Sequence, residues 1–328
     1  MTIEQKLKII SNDYSKFETY FLRKTKHQLL SEKLFPASTA LSVSMIIPAH
    51  QAQNTLPPVL KAISRQSFLK QGGDLEILIV DDASSPPLAS TIEPFENKLH
   101  IVSIRTSSNE GAGSARDRAI LLAKNDLVVF IDADIVLPPT FLSNHVFIHS
   151  QAAEPLISVS FRENVSELDR RILGKSTWGQ GDRFGGDHRV SMRFKSNWVM
   201  KPSENKYVGH EFHLLEQTNN FKEFGNGRVV ELWTLPMMVL TCAMSVRREI
   251  VLAASPTPKE LHGWGFNDTC LAAKMISSGA KVIPNFNSSV LHILEKKHTK
   301  PDHLKNKEFL RNEKVYKKLL KQELYGKK

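Results

Sequence analysis

The sequence predicts an α/β fold with a mostly parallel central sheet flanked by helices, and with helical N- and C-terminal extensions. Three observations predict it. Short, apolar, β-branched runs alternate with helix-like segments between residues 41 and 131, the pattern that builds a parallel sheet. Two of those runs end in close carboxylates, Asp81-Asp82 and Asp132-Ala133-Asp134, and ligands of such sheets bind beyond the carboxyl ends of strands. A glycine-rich stretch, Asn109-Glu110-Gly111-Ala112-Gly113, opens a helical segment where a missing Cβ lets backbone approach a ligand.

Residues 1 to 40 are expected as an amphipathic helical arm. Leu7, Ile10, Tyr14, Phe17 and Phe21 recur at three- and four-residue steps, and Pro36-Ala37-Ser38-Thr39 serves as a linker. Leu41 to Ile47 is a strand closed by Pro48. Leu56 to Ser67 is a helix with Pro57 and Pro58 near its start, where proline is tolerated. Leu75 to Val80, His100 to Arg105 and Leu127 to Ile131 are strands; Pro86 to Asn97 is a weak helix and Ser114 to Lys124 a stronger one. The stretch 160–230 holds eight glycines from Gly174 to Gly227, together with Trp178 and Trp198. It has no clean period and is expected as loops and short strands forming a lid or acceptor surface.

Leu235 to Val246 is expected as a strand, followed by a helix opening at Arg247-Arg248-Glu249. A loop over Leu261 to Asp268 precedes a helix from Thr269 to Ser278, ended by Gly279 as a C-cap. Lys281 to Pro284 and Ser289 to His292 are short strands. The tail helix, 303 to 325, carries Phe309, Tyr316, Leu320 and Leu324 on one face.

Composition narrows the class. The 328 residues are 41% hydrophobic and 24% charged, an ordinary globular balance. Two cysteines, Cys242 and Cys270, suit neither a disulfide scaffold nor a metal-binding spacing, so a reducing, cytoplasmic setting is expected. The most apolar run, Leu232 to Met244, is shorter than the ~20 residues that span a bilayer. The net charge is +10, and residues 295–328 hold twelve Lys/Arg against five Asp/Glu, +7 of it. The excess therefore lies in the tail, which argues against a nucleic-acid-binding core. The tail suits peripheral contact with an anionic membrane face or an acidic partner, or is simply a solvated helix face.

Asp132 and Asp134, one residue apart in extended chain, point to the same side and can hold one hard divalent cation, Mg²⁺ or Mn²⁺, which in turn carries phosphate oxygens. Four segments in order then resemble the family 2 glycosyltransferases of the GT-A fold: Ser44 to His50, Ile79 to Ser85, Asn109 to Gly111 with Ala115-Arg116-Asp117, and Phe130 to Asp134. Thr241 to Glu249 resembles a further strand of the family, with Thr241 or Cys242 where a glycine is usual. Gly263-Trp264-Gly265-Phe266-Asn267-Asp268 resembles the Trp-Gly-x-Glu-Asp loop of galactosyl- and N-acetylgalactosaminyltransferases, with Asn267 in place of the glutamate.

The resemblance implies a GT-A domain over 41–295, with a nucleotide-binding half at 41–140 and an acceptor half at 141–295. The flanking extensions are 1–40 and a basic helix at 296–328. It implies a nucleotide-diphosphate sugar, a UDP-sugar above all, as donor. The acceptor is a hydroxyl of a glycan, a lipid-linked intermediate or a peptide. Pro48, Ala49, His50, Asp81, Asp82, Gly111, Arg116, Asp132 and Ala133 are implied to bind the nucleotide-sugar; Trp264, Gly265 and Asn267 the sugar or acceptor. Asp134 and His292, with Asp132, are the implied metal ligands, and His298 or His303 is a substitute for the histidine. Asp268 is the implied base of an inverting reaction.

Most of these residues have a structural use as well. Asp82 and Asp268 are placed to cap helices, Arg116 to pair with Asp117 or Asp126, and His292 to fill a core. Two rival functions remain. One is a sugar-nucleotide-binding or scaffolding protein without turnover, favoured by Asn267. The other is a nucleotidyltransferase, disfavoured because Ala49 to Asn54 lacks a Gly-rich, basic loop.

Overall fold

The computed structural model describes residues 1–10, 40–166, 193–201, 206–213, 235–285, 288–294 and 301–323, with the single residues 12, 14, 16 and 187. The helical expectation at Phe17 and Phe21, the 36–39 linker, Trp178, His298 and Leu324 lie outside the described residues. Trp198 is described for its backbone alone.

Seven strands make the main sheet: β1 (Val43–Ala49), β2 (Leu75–Asp81), β3 (His100–Arg105), β4 (Leu127–Ile131), β6 (Leu156–Val159), β10 (Ala243–Arg247) and β11 (Lys281–Pro284). Their order is β11-β6-β10-β4-β1-β2-β3. All neighbours run parallel except β10, which is antiparallel to both β4 and β6. Side chains alternate between two faces. Ile46, Leu78, Val80, Val128 and Phe130 pack against α5 (Ala112–Leu122), α7 (Arg248–Ala254) and α8 (Asn267–Ser277). Met45, Ile47, Ile77, Ile79 and Val129 pack against α2 (Leu56–Ile63), α3 (Ser67–Lys70) and α6 (Phe141–Ser150). Each fully buried side chain of this size contributes about 1.5–3 kcal/mol.

A second sheet, β5-β12-β7, crosses the carboxyl edge of the first. It joins β5 (Ile135–Val136), β12 (Val290–Leu294) and β7 (Arg162–Ser166), and Ile293 N donates to Asp134 O at 2.9 Å. A hairpin of β8 (Arg193–Lys201) and β9 (Lys206–His213) completes the strands. Residues 89–92 form the short helix α4.

Several expectations change. Pro48 does not close β1; it pairs with Val80 inside the strand. This is tolerated because pairing with β4 has ended at Ile46↔Phe130, leaving that side of Pro48 without a ladder partner. The expected strand from Leu235 splits into a 3₁₀ turn, Leu235–Met238, and the shorter β10, since an apolar run without period does not choose between them. The helix α6 carries no amphipathic signal, because Phe141 through His149 are all buried. The N-terminal helix α1 (Ile3–Ile9) stops early, and Tyr14 is buried beside Ile148, Leu156 and Ile283. The tail helix α9 (Asp302–Leu320) lays Tyr316 and Leu319 against Phe266, Cys270 and Ala273. No helix among the described residues is long and apolar enough to cross a membrane.

Candidate active site

The carboxyl edges of β1 and β4 open into a cleft of about 570 Å³, within the range of small-molecule sites. Pro48, His50, Arg116, Asp132, Ala133, Asp134 and His292 line it, seven of the residues singled out from sequence. Gln51, Ala52, Thr55 and Ala112 also line it and carry no sequence signal of their own. Ala49 is buried, and its carbonyl accepts from Asp82 N.

The two acidic pairs are used differently. Asp81 is 3% exposed. Its Oδ1 accepts from Ser84 N at 2.8 Å, and its Oδ2 from Leu88 N at 3.1 Å and Arg105 Nη1 at 2.5 Å. Burial pushes its pKa up, but the hydrogen bonds from Ser84, Leu88 and Arg105 outweigh it and hold the carboxyl below its usual range. Asp82 accepts from Thr106 Oγ1, Glu110 N and Gly111 N, which ties β2 to the turn ahead of α5. The Asp82 carbonyl accepts from His50 Nδ1 at 2.7 Å, so Nε2 of a neutral His50 is the free acceptor. Gly111 has φ +89°, a conformation that favours glycine.

Asp132 and Asp134 are not joined by extended chain. Ile135 N donates to Asp132 O at 3.1 Å, closing a turn that gives the two carboxylates separate partners. Asp132 Oδ1 accepts from Arg116 Nη2 at 2.7 Å, and Asp134 Oδ2 lies 3.2 Å from His292 Nε2. Arg116 is 6% exposed and pairs with neither Asp117 nor Asp126. Its Nη1 reaches Asp268 Oδ1 at 3.2 Å. Burial alone would lower its pKa, yet the Asp132 and Asp268 carboxylates raise it on balance.

Asp268 lies in the first turn of α8, and no side-chain cap closes that helix. Thr241, one of the two positions where a glycine is usual, donates its hydroxyl to Asp268 Oδ1 at 2.7 Å and its N–H to Oδ2 at 3.2 Å. Sequence reasoning named Thr241 only as a departure; its value becomes visible once β10 and α8 are brought together. Asn267 donates to Gly263 O, and its Oδ1 would lie 2.7 Å from a Cβ on Gly113 of α5. Trp264 is half exposed above Phe309, with ring centroids 5.8 Å apart. Trp264 and Gly265 are not among the residues that line the cleft.

The Asp134–His292 pair fits a divalent cation. Asp134 Oδ1 is buried without a hydrogen-bond partner among the described residues. Asn164 Oδ1 lies 2.8 Å from His292 Nδ1, the outer contact that orients a metal-binding imidazole. With a proton on Nδ1, a bare Nε2 faces a carboxylate oxygen, an arrangement that a cation between them relieves. No three His, Cys, Asp or Glu side chains converge among the described residues, so the other positions would fall to ligand oxygens and water.

Residues 44–203 match the family model described as Glycosyl transferase family 2. The poly(ribitol-phosphate) beta-N-acetylglucosaminyltransferase TarS of Staphylococcus aureus (strain Mu50) is 28% identical over 95 residues, 29% of this chain and 16% of that protein. The undecaprenyl-phosphate 4-deoxy-4-formamido-L-arabinose transferase of Enterobacter sp. (strain 638) is 30% identical over 144 residues, 41% of this chain and 44% of that one. The chain thus spans less than half of either relative. Among solved structures, GalNAc-T7 with UDP, GalNAc and Mn²⁺ superposes with a TM-score of 0.55 at 16% identity, over 80% of this chain and 45% of the other. Residues 44–203 are thus similar to the glycosyl transferase family 2 model, and the fold is that of the GT-A transferases.

Proposed function

We propose that the protein is a metal-dependent glycosyltransferase that moves a sugar from a nucleotide-diphosphate sugar, a UDP-sugar in the first instance, to an acceptor hydroxyl. The observation that carries this is the Asp134–His292 pair at the mouth of the cleft, with Asp134 Oδ1 left over for a cation. Charge supports it. Arg116 is shared between Asp132 and Asp268 while Asp134 faces His292, so carboxylates outnumber the one arginine at this edge, which would repel a bare diphosphate. Bound Mn²⁺ or Mg²⁺ would supply the positive charge that a leaving nucleoside diphosphate needs.

The residues then divide the work. Pro48 and His50 form the wall of the nucleotide pocket, while Arg116 holds Asp132 and Asp268 at a fixed separation. Among the described residues Asp268 Oδ2 accepts the Thr241 N–H alone, which leaves lone-pair capacity for an acceptor hydroxyl proton. In this reading 41–140 takes the donor, 141–295 the acceptor, and the inverting outcome follows from Asp268 acting as base. The acceptor is a glycan, a lipid-linked intermediate or a peptide, met at the cytoplasmic side. The lysines of α9 favour an anionic membrane nearby.

The test is nucleotide release from UDP-, GDP- and dTDP-sugars, with and without Mn²⁺, in wild type and Asp134→Ala. Release from one donor class that needs metal and vanishes in the variant is expected. Binding without release, even with candidate acceptors present, would favour the non-catalytic sugar-nucleotide-binding protein. No binding at all would remove the site assignment.

A further inference from the structure

The loop ahead of Asp268 is built around the tail helix. Asn312 is fully buried, and its Nδ2 donates to three carbonyls of one loop: His262 O at 3.0 Å, Trp264 O at 3.2 Å and Gly265 O at 2.9 Å. Glu308 Oε2 accepts from Trp264 N at 2.9 Å, and Arg311 Nη2 also donates to His262 O. The glycines of this loop answer to the same helix. A Cβ on Gly263 would lie 2.4 Å from the Glu308 carboxyl, and one on Gly265 would lie 3.0 Å from the Phe309 ring. Both residues also have positive φ. Phe266, a non-glycine residue at φ 65°, is locked between Phe309 and Tyr316, with centroids 4.8 and 5.3 Å away. A left-handed phenylalanine persists only where surrounding packing holds it. It is also the residue from which α8 starts, two positions before Asp268.

We infer that α9 is a positioning element of the reaction: Glu308, Phe309 and Asn312 hold the Gly263–Phe266 loop, and through it the first turn of α8, so that Asp268 meets Arg116 and Thr241. The glycines flanking Trp264 have positive φ and also leave room for the docked helix. This assignment rests on the transferase reading. It makes the basic extension part of the catalytic unit.

Asn312→Asp keeps the side chain's size and removes its donated hydrogen bonds. Two quantities are measured on the full chain: UDP binding with Mn²⁺ by calorimetry, and UDP release from the UDP-sugar that wild type turns over. UDP affinity is expected to stay within about two-fold, while kcat falls about ten-fold or more at unchanged donor KM, the cost of a misplaced catalytic group. In an Asp268→Asn background the same change should cost nothing further, since the group it positions is already absent. Leu310→Ala, on the exposed face of α9, should leave both readouts unaltered. Equal losses in both backgrounds, or a parallel fall in UDP affinity, would overturn the inference; so would an Asn312→Asp enzyme as active as wild type. If Asn312→Asp does not fold, Phe309→Leu carries the same comparison. A wild type that binds UDP yet turns over no UDP-sugar would instead remove the transferase reading, and this role with it.

Discussion

Two sets of carboxylates in the molecule are held in opposite ways. Asp81 and Asp82 are buried and turned inward, and backbone N–H groups of nearby turns fill their oxygens: Ser84 and Leu88 for one, Glu110 and Gly111 for the other. Asp132, Asp134 and Asp268 are a quarter to a third exposed, and side chains from distant segments meet them. Arg116 reaches Asp268 across 152 positions, and His292 reaches Asp134 across 158. A carboxylate saturated by backbone donors fixes a turn. Asp132 and Asp134, each met by one side chain among the described residues, keep lone pairs for a ligand. The first pair therefore fixes turns beside the cleft, and Asp132 and Asp134 of the second set line it.

Asp268→Asn should separate the two sets most sharply. Removing a general base typically costs about 10²–10⁴ in rate, so transfer should nearly vanish while UDP affinity stays as in wild type. A variant with near-normal kcat would place the base elsewhere. Asp81→Ala should do the reverse. Left without their acceptor, Ser84 N and Leu88 N should cost about 2–4 kcal/mol of stability. Urea unfolding reads this directly, and residual activity in the folded fraction should be largely retained.

A third prediction concerns pH. His145 bonds Ser245 and Ser160, and His149 bonds the same Ser245, all inside the core. Burial, foremost, holds His145 well below the usual histidine range and His149 at about 3. Unfolded histidine titrates near 6.5. Below that pH the unfolded chain takes up protons that the folded one refuses. Stability should then fall by about 1.4 kcal/mol per pH unit for each histidine, with His149's share ending only near pH 3. Asp81 acts lower down: its carboxyl is held below its usual range, so its stabilisation is present above about pH 4 and fades beneath it. The slope between pH 6 and 4.5 thus belongs to the histidines. His149→Gln should flatten it by one proton, and an unchanged slope would exclude His149 as its source.

The smallest effect is expected at Thr241. Replacing it with Val removes one hydrogen bond to Asp268 and leaves the fold in place. kcat should drop roughly ten-fold, about the worth of one hydrogen bond to a charged group, and Thr241→Ser should restore it. Loss of stability without loss of kcat would make Thr241 a packing residue.

The sequence by itself determined β1 to β4, the helices between them, and the edge at which a ligand would lie. Short continuous runs of Val, Ile and Leu, punctuated by Asp, Gly and Pro, are local signals, and neighbouring parallel strands need nothing more to be recognised. It also placed Pro48, His50, Arg116, Asp132, Asp134 and His292, which one cleft gathers. The tertiary structure decided the rest. That β10 enters antiparallel, that α6 is buried on every side, and that Thr241 and Arg116 share Asp268 all depend on which segments become neighbours. The glycines beside Trp264 make the point most plainly. From sequence they belong to a sugar-stacking loop; in the structure positive φ at both calls for glycine, and a Cβ on Gly265 would also come within 3.0 Å of the Phe309 ring, from a helix some forty residues further on. Backbone preferences are written locally, whereas the space a side chain must leave empty is set by whatever packs against it.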